Sequence, residues 1–184
     1  MKITETKLKG CYLIEGSLYG DHRGYFIETY NKRLFEENNI FIDFVQDNQS
    51  LSINKGTIRG IHLQNNPMSQ AKLVSCTQGS VFDVAVDLRR DSKTYGQWVG
   101  FELSAENHRQ LLIPRGFGHA FQTLTNDVIF QYKVDNYYSK EDERSIIYND
   151  PDISIEWPIK EVILSDKDKN AKVLKKVNIK WQSI

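Results

Sequence analysis

The sequence predicts an all-β domain, a double-sheet jelly-roll barrel that carries a few short peripheral helices. Three observations predict this fold class. Short runs in which apolar and polar residues alternate occur along most of the chain, as they do in half-buried strands. Turn signals separate these runs at intervals of about 8 to 12 residues, a spacing typical of sandwiches and barrels. Helical periodicity is confined to two weak segments.

The first predicted elements are one helix and two strands. The helix covers residues 31–40, with Asn31 in the N-cap position, because asparagine accepts hydrogen bonds from free backbone amides there. Residues 56–64, GTIRGIHLQ, alternate as a strand that carries a histidine. Residues 72–79 form the second strand. One face of that strand carries Lys72, Val74 and Cys76.

Four more strands and a weak helix follow. In residues 81–88 the two aspartates, Asp83 and Asp87, lie opposite an apolar face. That face consists of Phe82, Val84, Val86 and Leu88. Residues 128–134 give a similar face, made of Val128, Phe130, Tyr132 and Val134. Residues 109–116 and 153–158 are short apolar strands that stop at prolines, and the weak helix falls near residues 166–176.

Length and charge limit the function classes. The 184 residues suit one domain, residues 1–184, with the segment from about 160 to 184 peripheral to it. Lysine plus arginine equals aspartate plus glutamate, so no overall charge favours nucleic acid or a membrane surface as a partner. The N-terminus lacks the apolar core of a signal peptide, and Cys11 and Cys76 form no disulfide framework. We therefore expect a cytoplasmic protein.

The histidines argue against a bound metal. None of His22, His62, His108 and His119 forms an HxH, HxxxH or HExxH spacing. The segment PRGFGHAF, residues 114–121, resembles the second motif of the cupin barrels, whose metal-binding members supply an HxH pair from an earlier strand. Here His62 is followed by Leu63 and Gln64. Two histidines are a poor site for zinc or iron, so we expect no metal and no cofactor.

Three polar side chains on strands have two interpretations each. His62 suits a satisfied core imidazole or a proton-transferring group. Lys72 suits an edge lysine that reaches water or a buried cation, and Tyr132 a core aromatic or an acid. An unpaired buried charge is costly, so a lysine and a tyrosine pointing into one barrel favour a functional interpretation.

A series of blocks resembles the dTDP-4-dehydrorhamnose 3,5-epimerases, sugar-nucleotide epimerases of the cupin-like barrel class. The resemblance extends from about residue 3 to about residue 170. The blocks, in chain order, are DHRGYFIETY, FVQDNQSLS, GTIRGIHLQ, AKLVSCTQGSVFDVAVDLRRDSKTYGQW, LSAENHRQLLIPRGFGHAF, YKVDNYYS, NDPDISIEWP and LSDKD. Several blocks in a fixed order are more specific than any single motif.

The resemblance implies a cofactor-independent epimerase whose substrate is a dTDP-4-keto-6-deoxy sugar. It makes His62 the base and Asp168 its partner, with Asp166 as the alternative. Lys72 would stabilise the enolate oxygen, Tyr132 would be the acid, and His119 would assist at the same oxygen. These groups match what inversion next to a ketone requires, which is a base, an acid and an oxyanion partner.

The resemblance also implies the nucleotide site and the assembly. Arg23 and Arg59 would bind the diphosphate, since a guanidinium fork suits phosphate oxygens. The thymidine contacts would be Glu28, Gln46, Asp47 and Asn48, with Phe26 and Tyr138 as stacking platforms. Glu143 and Lys167 are further substrate contacts. The family further implies a homodimer that exchanges N-terminal strands, so that Arg23 and Phe26 reach the neighbouring site.

One spacing conflicts with a regular strand. Arg59 and His62 are three residues apart, so a regular strand would point them to opposite faces. We therefore expect an irregularity near Gly60. A second departure is the block GFGHAF, where Gly118 and Ala120 exchange the small residues of the family's expected GFAHGF.

Other functions remain compatible with the sequence. One group is a 3- or 5-monoepimerase, or a 3,4-ketoisomerase, acting on another nucleotide-linked deoxysugar. A different class is a non-catalytic carbohydrate-binding barrel, because one fold hosts many functions. The simultaneous presence of His62, Lys72 and Tyr132 favours the epimerase.

Overall fold

We describe a computed structural model in which residues 1–181 are placed. The three last residues of the predicted peripheral segment, 182–184, lie outside the described residues. The strands are β1 (Lys2–Glu5), β2 (Tyr12–Glu15), β3 (Leu18–Asp21), β4 (Gly24–Ile27), β5 (Gln46–Ser52), β6 (Ile58–Gln64), β7 (Lys72–Gln78), β8 (Ser80–Asp87), β9 (Trp98–Ser104), β10 (Arg109–Ile113), β11 (Phe117–Thr123), β12 (Val128–Val134) and β13 (Glu143–Ser145). The helices are α1 (Lys32–Glu37), α2 (Asp166–Lys169) and a 3₁₀ turn, Leu174–Lys176.

Two antiparallel sheets build the molecule. The larger sheet has the strand order β1-β2-β10-β7-β12-β5, and the smaller has β13-β6-β11-β8-β9. From β5 to β12 the chain passes repeatedly from one sheet to the other, as in a jelly roll. Strands β3 and β4 form a separate hairpin. The predicted all-β jelly-roll fold is confirmed.

The core fills the space between the sheets. It contains Val74, Cys76, Leu111 and Phe130 from the larger sheet. The smaller sheet adds Val81, Ala85, Phe117 and Phe121. Beside this core, polar side chains from both sheets line a cavity.

The smaller sheet is buried on both faces. Val84, Val86 and Leu88 do not face the barrel interior; they pack outward against Ile155 and Leu174 of the C-terminal part of the chain. The opposite face of β8, which carries Asp83, lines the interior instead. Alternation therefore identified the two faces of β8 and left open which one turns inward.

The predicted strand at residues 153–158 is wrong. This segment is irregular, although Ile153 and Ile155 are buried against the outside of the smaller sheet. The Asp150 carboxylate accepts hydrogen bonds from the amides of Asp152 and Ile153, and Ser154 has φ +52°. A turn held by a side chain replaces the sheet ladder that the apolar alternation suggested.

The helices are shorter than the predicted segments. Asn31 caps α1 as expected, since its side chain accepts from the amides of Arg33 and Leu34. The weak helix near 166–176 is divided into α2, capped by Ser165, and the 3₁₀ turn. Among residues 1–181 no helix is long and apolar enough to span a membrane.

Candidate active site

A cavity of about 460 Å³ lies between the two sheets. The smaller sheet contributes Arg59, His62 and His119, and the larger contributes Lys72 and Tyr132. The C-terminal part of the chain closes one side with Ser165, Lys167 and Asp168. Sequence reasoning named all but Ser165 of these residues, so the fold brings most of the predicted site together.

A bulge at Gly60 puts Arg59 and His62 in the same cavity. His119 pairs with His62 and Phe121 with Arg59, so β6 has one residue more than β11 between the two pairs. An extra residue reverses the alternation of side chains, and the expected irregularity near Gly60 is confirmed. Gly60 has φ +125°, and a β-carbon there would lie 2.6 Å from the carbonyl oxygen of His119.

His62 and Asp168 form an imidazole–carboxylate pair. The Nε2 atom of His62 lies 2.5 Å from Oδ1 of Asp168, whose other oxygen accepts from the Ser165 hydroxyl. Burial alone would raise the pKa of Asp168, but the hydrogen bond and charge of His62 outweigh it, so the pKa lies below its ordinary value. Asp166 is exposed at the start of α2. The structure thus brings Asp168 to His62.

Lys72 presents its ammonium group to the cavity without a hydrogen-bonding partner. Across the described part of the chain, no hydrogen bond or ion pair involves its Nζ, which lies 5.9 Å from the centre of the Tyr132 ring. Burial lowers the pKa of Lys72 to about 8, against the opposing charges of Asp83 and Glu143. An ammonium held in this way can attract a developing negative charge.

Tyr132 lies on the wall opposite His62. It belongs to β12 of the larger sheet, whereas His62 belongs to β6 of the smaller. No group in the described residues hydrogen-bonds to its hydroxyl, and burial raises its pKa, partly offset by the charge of Arg59. A neutral phenol is therefore available to donate a proton from that wall.

His119 is held by a carboxylate that the sequence did not single out. Its Nε2 lies 2.8 Å from Oδ2 of Asp83, and both side chains are buried. Burial lowers the pKa of His119, against the opposing charge of Asp83. The alternation in residues 81–88 showed that Asp83 lies on the polar face of the strand. It did not show that this face turns toward the interior, and the sequence carries no other signal for that.

A second cavity of about 230 Å³ shares His62, Lys72 and Tyr132 with the first. Its other walls include Gln46, Asn48, Gln64, Tyr138 and Glu143. Glu143 accepts from the Tyr138 hydroxyl at 3.2 Å and pairs with Lys167 at 2.5 Å. Burial would raise the pKa of Glu143, but Lys167 outweighs it and the pKa is lowered. The two cavities are therefore adjacent, with His62, Lys72 and Tyr132 in the walls of both.

Four predicted substrate contacts lie outside these two cavities of their own chain. Asp47 points to the opposite face of β5 from Gln46 and Asn48 and pairs with Lys133 at 2.9 Å. Arg23 and Phe26 are exposed on the β3–β4 hairpin, and Glu28 is exposed just beyond it. A single chain therefore does not bring these four residues to the predicted site.

The donor atoms in residues 1–181 form no group of three or more histidine, cysteine, aspartate or glutamate side chains that could hold a metal ion. What the cavity does hold is acid–base groups on facing walls. A jelly-roll barrel with such a cavity has the groups that proton transfer to and from a bound substrate requires.

Comparison with known proteins defines the family. The chain belongs to the dTDP-4-dehydrorhamnose 3,5-epimerase family, whose model matches residues 5–176. It is 49% identical to dTDP-4-dehydrorhamnose 3,5-epimerase of Shigella flexneri, over 92% of this chain and 94% of the relative.

Two solved structures of such enzymes are closely similar. The Bacillus anthracis enzyme with TDP and PPi bound has a TM-score of 0.92 and 49% identity, and the match covers 94% of this chain and 99% of that one. The Legionella pneumophila enzyme in complex with dTDP-4-keto-L-rhamnose has a TM-score of 0.93 and 45% identity, covering 99% of each chain.

Proposed function

We propose that this protein inverts C3 and C5 of dTDP-4-dehydro-6-deoxy-D-glucose, giving dTDP-4-dehydro-L-rhamnose for dTDP-L-rhamnose biosynthesis. The observation that carries the proposal is the placement of His62 and Tyr132 on opposite sheets across one cavity. Inversion requires a base on one face of the carbon and an acid on the other. The family relationship supports the substrate.

The first step is removal of a proton next to the ketone. The C3 and C5 hydrogens flank the C4 carbonyl, so their loss gives an enolate. His62 takes the proton, and the electron pair of the broken C–H bond moves onto the C4 oxygen. The Asp168 carboxylate, 2.5 Å from Nε2 of His62, stabilises the imidazolium that forms and fixes the orientation of the ring.

The enolate oxygen requires a positive partner. Lys72 lines the same cavity with no competing ion pair among the described residues, and His119 lies on the facing sheet. We assign both to the C4 oxygen. A cation that is already positioned beside the oxygen stabilises the enolate without the reorganisation that solvent would require.

The second step returns a proton to the opposite face. The Tyr132 hydroxyl donates its proton to the carbon, and the electron pair returns from the oxygen to reform the ketone. His62 then releases its proton and Tyr132 regains one from solvent, so no redox partner is required. Repetition at the second carbon completes the double inversion.

The nucleotide would occupy the rest of the site. Arg59 is assigned to the diphosphate, and Gln46, Asn48, Tyr138, Glu143 and Lys167 to the substrate around the second cavity. Arg59 is already held by Ser52 and the carbonyl of Leu51, both at 3.0 Å. This pre-orders its guanidinium group, which lowers the cost of binding phosphate.

The assembly is part of the proposal. We assign Arg23, Phe26 and Glu28 to the substrate site of a second copy in a homodimer, by exchange of the β3–β4 hairpin. Tyr19, Tyr25 and Phe26 are more than half exposed on this hairpin, and apolar exposure of this kind favours a protein contact. We assign Asp47 to the same substrate region. The free thiols of Cys11 and Cys76 support a cytoplasmic location.

Proton NMR in heavy water tests the function. With dTDP-4-keto-6-deoxyglucose as the substrate, deuterium should enter at both C3 and C5, and His62→Ala should remove nearly all of it. The control is Asp166→Asn, which changes an exposed carboxylate outside both cavities. Exchange at one carbon only would contradict double epimerisation, and no exchange would contradict the reaction.

A further inference from the structure

Gln64 lies two residues after His62, where metal-binding cupins carry a second histidine. It is buried at the end of β6 and lines the second cavity. Its side-chain amide makes three hydrogen bonds, all to backbone atoms. Nε2 donates to the carbonyls of Met68 at 2.5 Å and Tyr137 at 3.0 Å, and Oε1 accepts from the amide of Ser139 at 2.7 Å.

Two of these hydrogen bonds bracket Tyr138. The carbonyl of Tyr137 and the amide of Ser139 are the backbone groups on either side of it. The Tyr138 ring itself is 59% exposed, and the one hydrogen bond of its hydroxyl within residues 1–181 goes to the Glu143 carboxylate, at 3.2 Å. The position of the ring over the cavity therefore depends on how firmly the backbone at 137–139 is held.

The bonding pattern explains why an amide occupies this position. The Ser139 amide requires an acceptor at position 64, and the carbonyls of Met68 and Tyr137 require two donors there. Of the similarly sized side chains, only a carboxamide provides two donors and an acceptor in one group. Gln70 reinforces the same loop by donating to the carbonyl of Asn136 at 2.7 Å.

We propose that Gln64 is a positioning residue that fixes Tyr138 as the platform for the nucleotide base. This inference rests on the proposed function, because it assigns a dTDP-sugar to the site. Gln64 acts through the loop at 137–139 and takes no part in proton transfer. Its loss then weakens nucleotide binding and leaves the proton-transfer steps at His62 intact.

The test compares Gln64→Met, which removes all three hydrogen bonds, with Gln64→Glu, which retains the acceptor only. We expect Gln64→Met to raise the Kd for dTDP, measured by calorimetry, about tenfold, as loss of more than one hydrogen bond implies. KM should rise in parallel while kcat stays within about threefold of the wild type. Gln64→Glu should raise the Kd for dTDP at least as much as Gln64→Met, because its carboxylate would face the carbonyl oxygens of Met68 and Tyr137 with no proton to donate.

The matched control is Gln122→Met. Gln122 is another buried glutamine that holds a backbone segment. Its Nε2 donates to the carbonyl of Ile159 at 2.8 Å, and its Oε1 accepts from the backbone amide of Ile159 at 3.0 Å. It lies outside both cavities. Its loss should lower the thermal midpoint and leave Kd for dTDP unchanged, which separates positioning from general stability.

A double-mutant cycle decides the mechanism. In a Tyr138→Ala background, Gln64→Met should change Kd for dTDP by less than about twofold, because the residue it positions is gone. Fully additive effects, or a fall in kcat with KM unchanged, would overturn the inference. Wild-type inactivity towards the sugar would contradict the proposed function instead, since dTDP binding is measured without turnover.

Discussion

A β-carbon added to Gly60 would lie 2.5 Å from the Cβ of Ala120 on the neighbouring strand. The two residues fit because one lacks the methyl group that the other carries. Gly60 and Ala120 face each other at the bulge, and the bulge directs the side chains of Arg59 and His62 into the same cavity. The carbonyl oxygen of His119 and the Cα of Ala120 would lie equally close, at 2.6 and 2.7 Å, so the backbone of β11 also requires glycine at position 60.

Gly60→Ala should damage both folding and activity. We expect the free energy of unfolding to fall by about 3 kcal/mol, since backbone strain at φ +125° adds to the collision with Ala120. Chemical denaturation measures this. Gly96→Ala is the control, because Gly96 has φ +78° but open space around it. Gly60→Ala combined with Ala120→Gly should recover part of the loss; an equal effect of the two single glycine changes would contradict steric fit.

Asp168→Asn should lower kcat roughly 10²–10⁴-fold, because an amide can neither stabilise the imidazolium nor hold the ring in the same tautomer. The control is Asp166→Asn, two residues earlier and exposed, which should stay near wild type. The lowered pKa of Asp168 also stabilises the fold above the unfolded carboxyl pKa, and this contribution disappears as the pH falls through the folded value. Acid titration of stability should show a smaller loss in Asp168→Asn.

Lys72 should determine where kcat/KM declines at alkaline pH. Its pKa of about 8 means that kcat/KM declines above that pH as the ammonium loses its proton. Lys72→Arg, which stays charged, should remove this decline even if its rate is lower. The free energy of unfolding should change in the opposite direction to the rate. Between about pH 8 and 10.5 the unfolded chain binds the Lys72 proton more tightly than the folded chain, so the contribution of Lys72 to this free energy rises with pH. An unchanged decline in Lys72→Arg would assign it to another group.

If two copies exchange the β3–β4 hairpin, inactive variants should complement each other. Equal amounts of Arg23→Glu and His62→Ala chains, unfolded and refolded together, should recover about a quarter of the wild-type rate. About half of the dimers are then mixed, and each mixed dimer holds one intact site out of two. Each variant refolded alone is the control. If mixing restores nothing while mixed dimers form, Arg23 serves the site of its own chain or none.

Much of the site was predictable because its residues interrupt otherwise apolar strands. Lys72 and Tyr132 stood out in this way, and both line the cavity. Asp83 did not, because β8 is buried on both faces and alternation alone cannot say which face turns inward. The strand predicted at 153–158 failed because Asp150 bends that segment into a turn before it can pair.

Asp168 lies 106 residues after His62 in the chain. The segment that carries it is anchored by Ile163, whose amide donates to the carbonyl of Gly56 at 3.0 Å and whose carbonyl accepts from the amide of Ile58 at 2.9 Å. During synthesis on a ribosome, the barrel strands emerge well before this aspartate does. The imidazole therefore acquires its carboxylate only after this late segment has been synthesised and has docked beside β6, and a nascent chain that ends before residue 168 also lacks one wall of the cavity.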